Sequence, residues 1–181
     1  MAQLPSLLVP LDIRLTRWMA GHAVLALRLS LGVVFLWFGA LKLAPGLSPA
    51  EGLATRTIEL LSGGMIPAGL IAPGLGVWEC LIGIGLLSGV WMRVTLLLLA
   101  LQLPGTFTPL VLFPSECFAF APFVPTLEGQ YIIKNLVLIA AAIAIGSTVR
   151  GGHVEPEPGI GHRARQSARQ AQAGADTPPP S

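Results

Sequence analysis

Residues 70–90, with the sequence LIAPGLGVWECLIGIGLLSGV, form an apolar stretch interrupted by one charged residue, Glu79, near its middle. About twenty such residues cross the hydrocarbon core of a bilayer as an α-helix. A carboxylate at that depth carries a free-energy cost of a few kcal/mol. We therefore expect Glu79 to face protein or water rather than lipid, and to have a partner.

The same stretch has an inward-facing side. Ala72, Gly76, Glu79 and Gly83 follow one another at helical spacing and share one face. Small residues let neighbouring helices approach closely in lipid, where no hydrophobic force drives their association. Glu79 is therefore expected inside a helix bundle, either at a ligand site or as an ion that only pairs two helices.

The whole chain has the balance of a membrane protein, because 53% of its residues are hydrophobic and 11% are charged. We predict an all-α polytopic fold in which four transmembrane helices form a bundle. The spans are expected at residues 24–43, 70–90, 94–113 and 130–149. Short interfacial helices are expected at Leu11–Met19 and within residues 45–67, the latter lying over the bundle or on the lipid headgroups.

The predicted organisation is an N-terminal cytoplasmic or interfacial segment (1–22), a membrane domain (23–149) and a disordered cytoplasmic tail (150–181). Arginines flank the spans at positions 14, 17, 93 and 150, whereas the other two loops carry mostly glutamates. The positive-inside rule then places both termini in the cytoplasm.

Several polar residues interrupt the spans. In the first span Arg28, Gly32, Phe35, Gly39 and Lys42 form one helical seam. Long cations near helix ends also snorkel to the interface, so this alternative stays open for Arg28 and Lys42. The third span contains Gln102 and Thr106 beside Pro104-Gly105 and Pro109, and the fourth begins with Lys134-Asn135. The prolines indicate a kink, which either lines a site or only shapes packing.

These positions suggest a ligand site in the outer half of the bundle. Lys134 from the outer side, or Arg28 from the cytoplasmic side, is expected to approach Glu79. Three cations against one acid leave unpaired positive charge, so we expect a cavity that receives water and a small anionic or carbonyl-bearing ligand. The candidate ligand-binding residues are Arg28, Lys42, Glu79, Gln102, Thr106, Lys134 and Asn135.

The sequence gives no signal for a redox-active cysteine pair, a bundle haem, a metal site or nucleic-acid binding. Cys80 and Cys117 form no CxxC pair and are expected to be unrelated free thiols. All three histidines fall outside the predicted spans, which argues against a haem in the bundle, and no metal site is predicted. The net charge of +2 does not indicate nucleic-acid binding. No intrinsic cofactor motif is present, and nothing in the sequence assigns a catalytic reaction.

The elements LRLSLGVVFLWFGALKL, GVWECLIGIGLLSGVWMR and EGQYIIKNLVLI, in this order, resemble the DoxX-like family of small bacterial inner-membrane proteins, with the YkgB-type branch most similar. The resemblance covers roughly residues 24–149. It implies a four-helix membrane fold and, for some members, association with quinone-linked oxidation of sulfur compounds or with oxidative-stress defence. Asn135 departs from the pattern, since relatives often carry an acid after the fourth-span lysine.

Three functions remain under this interpretation. The first is a redox-associated inner-membrane subunit that binds a quinone or a similar small carbonyl compound and works with a separate redox protein. The second is a small permease or exporter, for which four spans would require a homo-oligomer. The third is a scaffold subunit whose intramembrane ions only specify helix packing.

Overall fold

Four long helices form the protein in a computed structural model, which describes residues 9–44, 46–48 and 51–152. They are α1 (Val9–Lys42), α3 (Ala68–Ser88), α4 (Met92–Leu112) and α6 (Leu127–Thr148). Each is long and apolar enough to cross a membrane. The prediction of an all-α polytopic membrane protein with four spans is confirmed.

Shorter elements lie between the long helices at one end of the bundle. These are α2 (Glu51–Leu61), α5 (Pro114–Cys117) and a two-stranded antiparallel sheet of β1 (Phe118–Phe120) and β2 (Val124–Pro125). We call this end the loop end, and the opposite end, where residues 89–91 join α3 to α4, the turn end. The predicted tail lies outside the described residues beyond position 152.

Helix α1 is longer than expected. It continues without a break for 34 residues, which corresponds to about 50 Å at 1.5 Å per residue. The separate surface helix predicted at Leu11–Met19 is therefore wrong, since these residues form the first turns of α1. The sequence explains the continuity, because no proline occurs between Leu11 and Lys42.

Helices α1 and α3 pack with their backbones in contact. An ideal Cβ added at Gly39 would lie 2.8 Å from the backbone nitrogen of Cys80, and one added at Gly83 would lie 2.5 Å from that of Leu36. Gly76 similarly faces the carbonyl oxygen of Gly39. The predicted small-residue stripe on α3 and the glycine seam on α1 thus meet each other, as small residues at a membrane helix interface allow.

The apolar core lies mostly between Glu79 and the turn end. Its buried members come from all four long helices and are Leu31, Phe35, Ile82, Leu86, Leu99, Leu103, Ala141 and Ile145. Exposed leucine, valine and phenylalanine side chains cover the outside of the helices. Because such a surface is stable only against hydrocarbon, the long helices contact a lipid bilayer.

At the loop end, α2 packs against α3 and α4 and buries the side chain of Thr57. This helix was expected either over the bundle or on the lipid headgroups, and in the structure it lies over the bundle. The region predicted as the loop 114–129 contains α5 and the small sheet. Helix α6 begins at Leu127, three residues before the predicted start, because Thr126 caps it by accepting a hydrogen bond from the Gly129 backbone N–H at 3.2 Å.

Candidate functional site

Three of the predicted site residues form one hydrogen-bonded group inside the bundle. The ammonium of Lys42 lies 2.5 Å from Glu79 Oε2, and the amide of Gln102 donates from Nε2 to Glu79 Oε1 at 2.8 Å. Both oxygens of the carboxylate are therefore engaged, one by a cation and one by a neutral donor. We call Lys42, Glu79 and Gln102 the polar triad.

The triad joins three helices near the middle of the bundle. Glu79 lies about 16 Å from the start of α3, and Gln102 lies about 15 Å from either end of α4. Lys42 is the last residue of α1, so this helix ends beside the triad while α3 continues towards the loop end. A lysine in the last helical turn is also favoured by the helix dipole.

The close packing of α1 on α3 places Lys42 beside Glu79. Gly39 lies one turn before Lys42, and an ideal Cβ there would lie 2.9 Å from the Cβ of Glu79. Any larger residue at position 39 would push the two helices apart. The sequence signal for this arrangement was present, because Gly39 and Lys42 were predicted on the same seam.

The triad is largely shielded from the surroundings. The side chains of Lys42 and Glu79 are 12% and 11% exposed. The remaining polar atom of the group, Gln102 Oε1, is buried and has no hydrogen-bond partner among the residues that the structure describes. The triad thus presents an unused hydrogen-bond acceptor next to a buried ion pair.

Thr106 lies one turn beyond Gln102 on α4. Its hydroxyl donates to the Leu103 carbonyl at 2.7 Å, and the hydroxyl of Thr108 donates to the Pro104 carbonyl at 3.2 Å. Helix α4 runs continuously through both Pro104 and Pro109. The prolines leave the carbonyls of Ala100 and Gly105 without an N–H donor, so these two hydroxyls bond to other carbonyls of the helix.

Arg28 does not join the triad. Its guanidinium lies against Gly89 at the end of α3, where an ideal Cβ on Gly89 would come within 2.1 Å of an Arg28 terminal nitrogen. Gly89 has a left-handed backbone (φ 72°) that ends α3. A cation at a helix C-terminus is stabilised by the dipole and by free carbonyls, so Arg28 has a structural role at the turn end.

Lys134 also stays away from Glu79. Its side chain is exposed on α6, and its ammonium lies 5.2 Å from the centre of the Tyr131 ring. Asn135, the next residue, is half-buried. The expectation that Lys134 or Arg28 approaches Glu79 is wrong, because Lys42 is the ion partner.

This arrangement changes the charge argument for a ligand. Lys42 is neutralised by Glu79, Lys134 is exposed, and Arg28 lies at a helix terminus, so the cations no longer imply an unpaired buried charge. The observation that favours a ligand is instead the buried oxygen of Gln102, which has no hydrogen-bond partner among the described residues. The sequence could not predict this feature, because whether a buried side-chain atom lacks a hydrogen-bond partner depends on how the side chains pack.

A second polar group lies at the loop end. Arg56 of α2 forms an ion pair with Glu116 of α5, and its guanidinium lies 5.4 Å from the centre of the Phe113 ring. These side chains are substantially exposed, at 52% and 37% for the ion pair. The contacts fasten α2 to the segment that follows α4.

Both cysteines are free thiols, as predicted. Cys117 is fully buried in α5, and its thiol donates to the Pro109 carbonyl at 3.5 Å. Burial raises the pKa of the Cys117 thiol, and the carboxylates of Glu116 and Glu128 raise it further. Among the described residues, no group of three His, Cys, Asp or Glu side chains is placed to hold a metal ion.

A comparison with protein families identifies a similarity over about half of the chain. The DoxX family model matches residues 23–112, which contain the whole polar triad but end before α6. No curated protein and no solved structure matches the chain.

Proposed function

We propose that this chain, whose residues 23–112 match the model of the DoxX family, is a redox-associated membrane subunit that binds a quinone or a related small carbonyl compound at the polar triad. The observation that carries the proposal is the buried Gln102 Oε1, which has no partner among the described residues beside the Lys42–Glu79 ion pair. A buried polar atom without a partner costs about 1–3 kcal/mol, and a ligand with a hydrogen-bond donor, such as the hydroxyl of a reduced quinone, can offset this cost.

The residues of the triad fit a quinone-type group. The Lys42 ammonium has three N–H donors and uses one of them for Glu79, which leaves donors for a carbonyl oxygen. Gln102 supplies an acceptor for a hydroxyl group of the reduced form of the ligand, and Glu79 holds both side chains in place. A quinone, when bound, supplies two-electron oxidation and reduction, while the protein binds and orients it and keeps it away from water.

The surroundings also suit a hydrophobic ring and tail. Helix α1 ends at Lys42, and the shorter helix α2 packs against α3 and α4 at the loop end. Apolar ligands of this kind enter from the bilayer, and exposed apolar side chains line the outside of the helices. Electrons would be exchanged with a separate redox protein, since the chain has no redox motif of its own.

The proposal includes a location and a role. The loop end would face outwards and both termini would face the cytoplasm of a bacterial inner membrane, because Arg14, Arg17, Arg93 and Arg150 lie at the turn end or in the segments beyond it. A role in oxidative-stress defence, as in the YkgB-type branch, is part of the same proposal. Cysteine labelling from either side of spheroplasts, at cysteines introduced at Arg93 and at Glu128, checks the orientation.

The decisive test is mass spectrometry of the quinones that co-purify with the protein in mild detergent. Wild type is expected to retain a quinone near one per chain, and Lys42→Met is expected to lose it. Lys134→Met is the matched control, because it removes an exposed cation and should retain the quinone. A folded wild-type protein that retains no quinone contradicts the proposal.

A scaffold role is the second candidate, because Lys42 and Glu79 pair where α1 and α3 are in closest contact. Buried ion pairs of this kind can specify which helices associate. Under this alternative, Lys42→Met lowers the folded yield and no ligand is found in any variant. Under the quinone proposal, wild type retains the ligand, and the Lys42→Met protein that does fold has lost it.

A further inference from the structure

The unpartnered oxygen of Gln102 distinguishes between two forms of the proposed ligand. This atom is buried and can only accept a hydrogen bond, whereas the Lys42 ammonium on the other side of Glu79 can only donate. The triad therefore offers one donor and one acceptor to a bound molecule. A ligand satisfies both only if it carries a hydrogen-bond donor as well as an acceptor, and in a quinone couple only the reduced form has such a donor, its hydroxyl group.

The orientation of the Gln102 amide is fixed by its neighbours. Its nitrogen donates to Glu79 Oε1 at 2.8 Å, while Lys42 engages the other oxygen of the same carboxylate. Turning the amide over would place its oxygen against the carboxylate oxygen, and two acceptors in contact repel each other. The Gln102 oxygen therefore stays available on the side away from Glu79.

We propose that Gln102 makes the polar triad selective for the reduced, hydroxyl-bearing form of its ligand, so that a hydroquinone binds more tightly than the corresponding quinone. This inference rests on the proposed function. A hydroquinone hydroxyl donates to Gln102 Oε1, whereas a quinone carbonyl brings a second acceptor to the same atom. Lys42 does not discriminate, because its ammonium donates equally well to a hydroxyl oxygen and to a carbonyl oxygen.

The expected preference follows from the cost of leaving a buried acceptor unpaired. That cost corresponds to about 5- to 150-fold in binding affinity. Tighter binding of the reduced form also raises the reduction potential of the bound couple. For a two-electron couple, a tenfold preference corresponds to about 30 mV.

The test compares the dissociation constants of decylubiquinone and its hydroquinone, measured anaerobically on the purified full chain in nanodiscs by quenching of tryptophan fluorescence. Wild type is expected to bind the hydroquinone about 5- to 150-fold more tightly. Gln102→Met, which keeps the side-chain length but removes the acceptor, should bring the ratio of the two constants close to one. Gln130→Met is the matched control, because Gln130 is exposed on α6, and it should keep the wild-type ratio.

A second variant keeps the test valid if Gln102→Met does not fold. Gln102→Asn retains the amide but withdraws its oxygen by one methylene, so the ratio should fall between those of wild type and Gln102→Met. The reduction potential of the bound couple should move in parallel.

The possible results separate the two proposals. Equal binding of both forms by wild type, or a preference that survives in Gln102→Met, overturns the inference about Gln102 and leaves the quinone site in place. If folded wild type binds neither form, the proposed function itself is wrong.

Discussion

Gly83→Ala tests whether direct backbone contact between α1 and α3 holds the bundle together. The added Cβ would lie 2.5 Å from the backbone nitrogen of Leu36 and 2.7 Å from its Cβ. An ordinary carbon contact begins at about 3.5 Å, so one helix has to move by about 1 Å. Because the obstructing atoms belong to the backbone and its first side-chain carbon, no rotamer change relieves the clash. We expect a loss of about 1–3 kcal/mol in the free energy of unfolding.

Gly74→Ala is the matched control for this substitution. Gly74 lies on the same helix, and an ideal Cβ there has no atom within 4 Å. The same replacement should therefore be neutral, or stabilising by about 0.5–1 kcal/mol from the lower flexibility of alanine in a helix.

The assay is equilibrium unfolding by sodium dodecyl sulfate in mixed micelles, followed by far-ultraviolet circular dichroism. The two variants should differ by about 1–4 kcal/mol in the free energy of unfolding. If Gly83→Ala and Gly74→Ala unfold at the same detergent fraction, the glycine contact does not support the fold, and the position of Lys42 beside Glu79 needs another explanation.

Three further predictions concern the ion pairs and the buried thiol. Lys42→Met should lower the free energy of unfolding by about 3 kcal/mol, because it leaves the buried Glu79 carboxylate without its cation. Adding Glu79→Gln should recover most of this loss in the same unfolding assay, and a double variant as unstable as Lys42→Met alone contradicts this explanation. Arg56→Ala removes the exposed ion pair with Glu116 and should cost less than about 1 kcal/mol, so a larger loss would show that this contact is more than a surface pair. The pKa of Cys117 is raised and the thiolate is the reactive form, so iodoacetamide should label Cys117 more slowly in the native protein than in the unfolded chain. The labelling rate should still rise with pH where the rate of an ordinary thiol has levelled off. A rate that levels off at the ordinary thiol pKa would refute this.

The sequence predicted which helix faces meet more accurately than it predicted which side chains pair. Gly39 and Lys42 were placed on one face of the first span, and Gly76 and Glu79 on one face of the second, and these faces do meet. The partner of Glu79 was nevertheless predicted incorrectly. Depth in the membrane is read from sequence only to within a turn or two, and a lysine side chain spans about that distance, so Lys42, Lys134 and Arg28 could not be ranked.

The sequence by itself determined the number of spans, their approximate limits and their inward faces. This was possible because the thickness of the bilayer sets the length of an apolar helix, and the spacing of small and polar residues sets its orientation. The continuity of α1 into residues 9–22 was not predicted, although no proline occurs between Leu11 and Lys42 to end the helix.

Only the tertiary structure decided which polar groups meet and which remain unsatisfied. The contact between the α1 and α3 backbones fixes their relative register, and this register selects Lys42 from three similar cations. The packing of α4 against α3 then orients the Gln102 amide and leaves its oxygen without a partner among the described residues. Such features depend on distances of a few tenths of an ångström between helices that are far apart in the chain, and a linear pattern does not contain them.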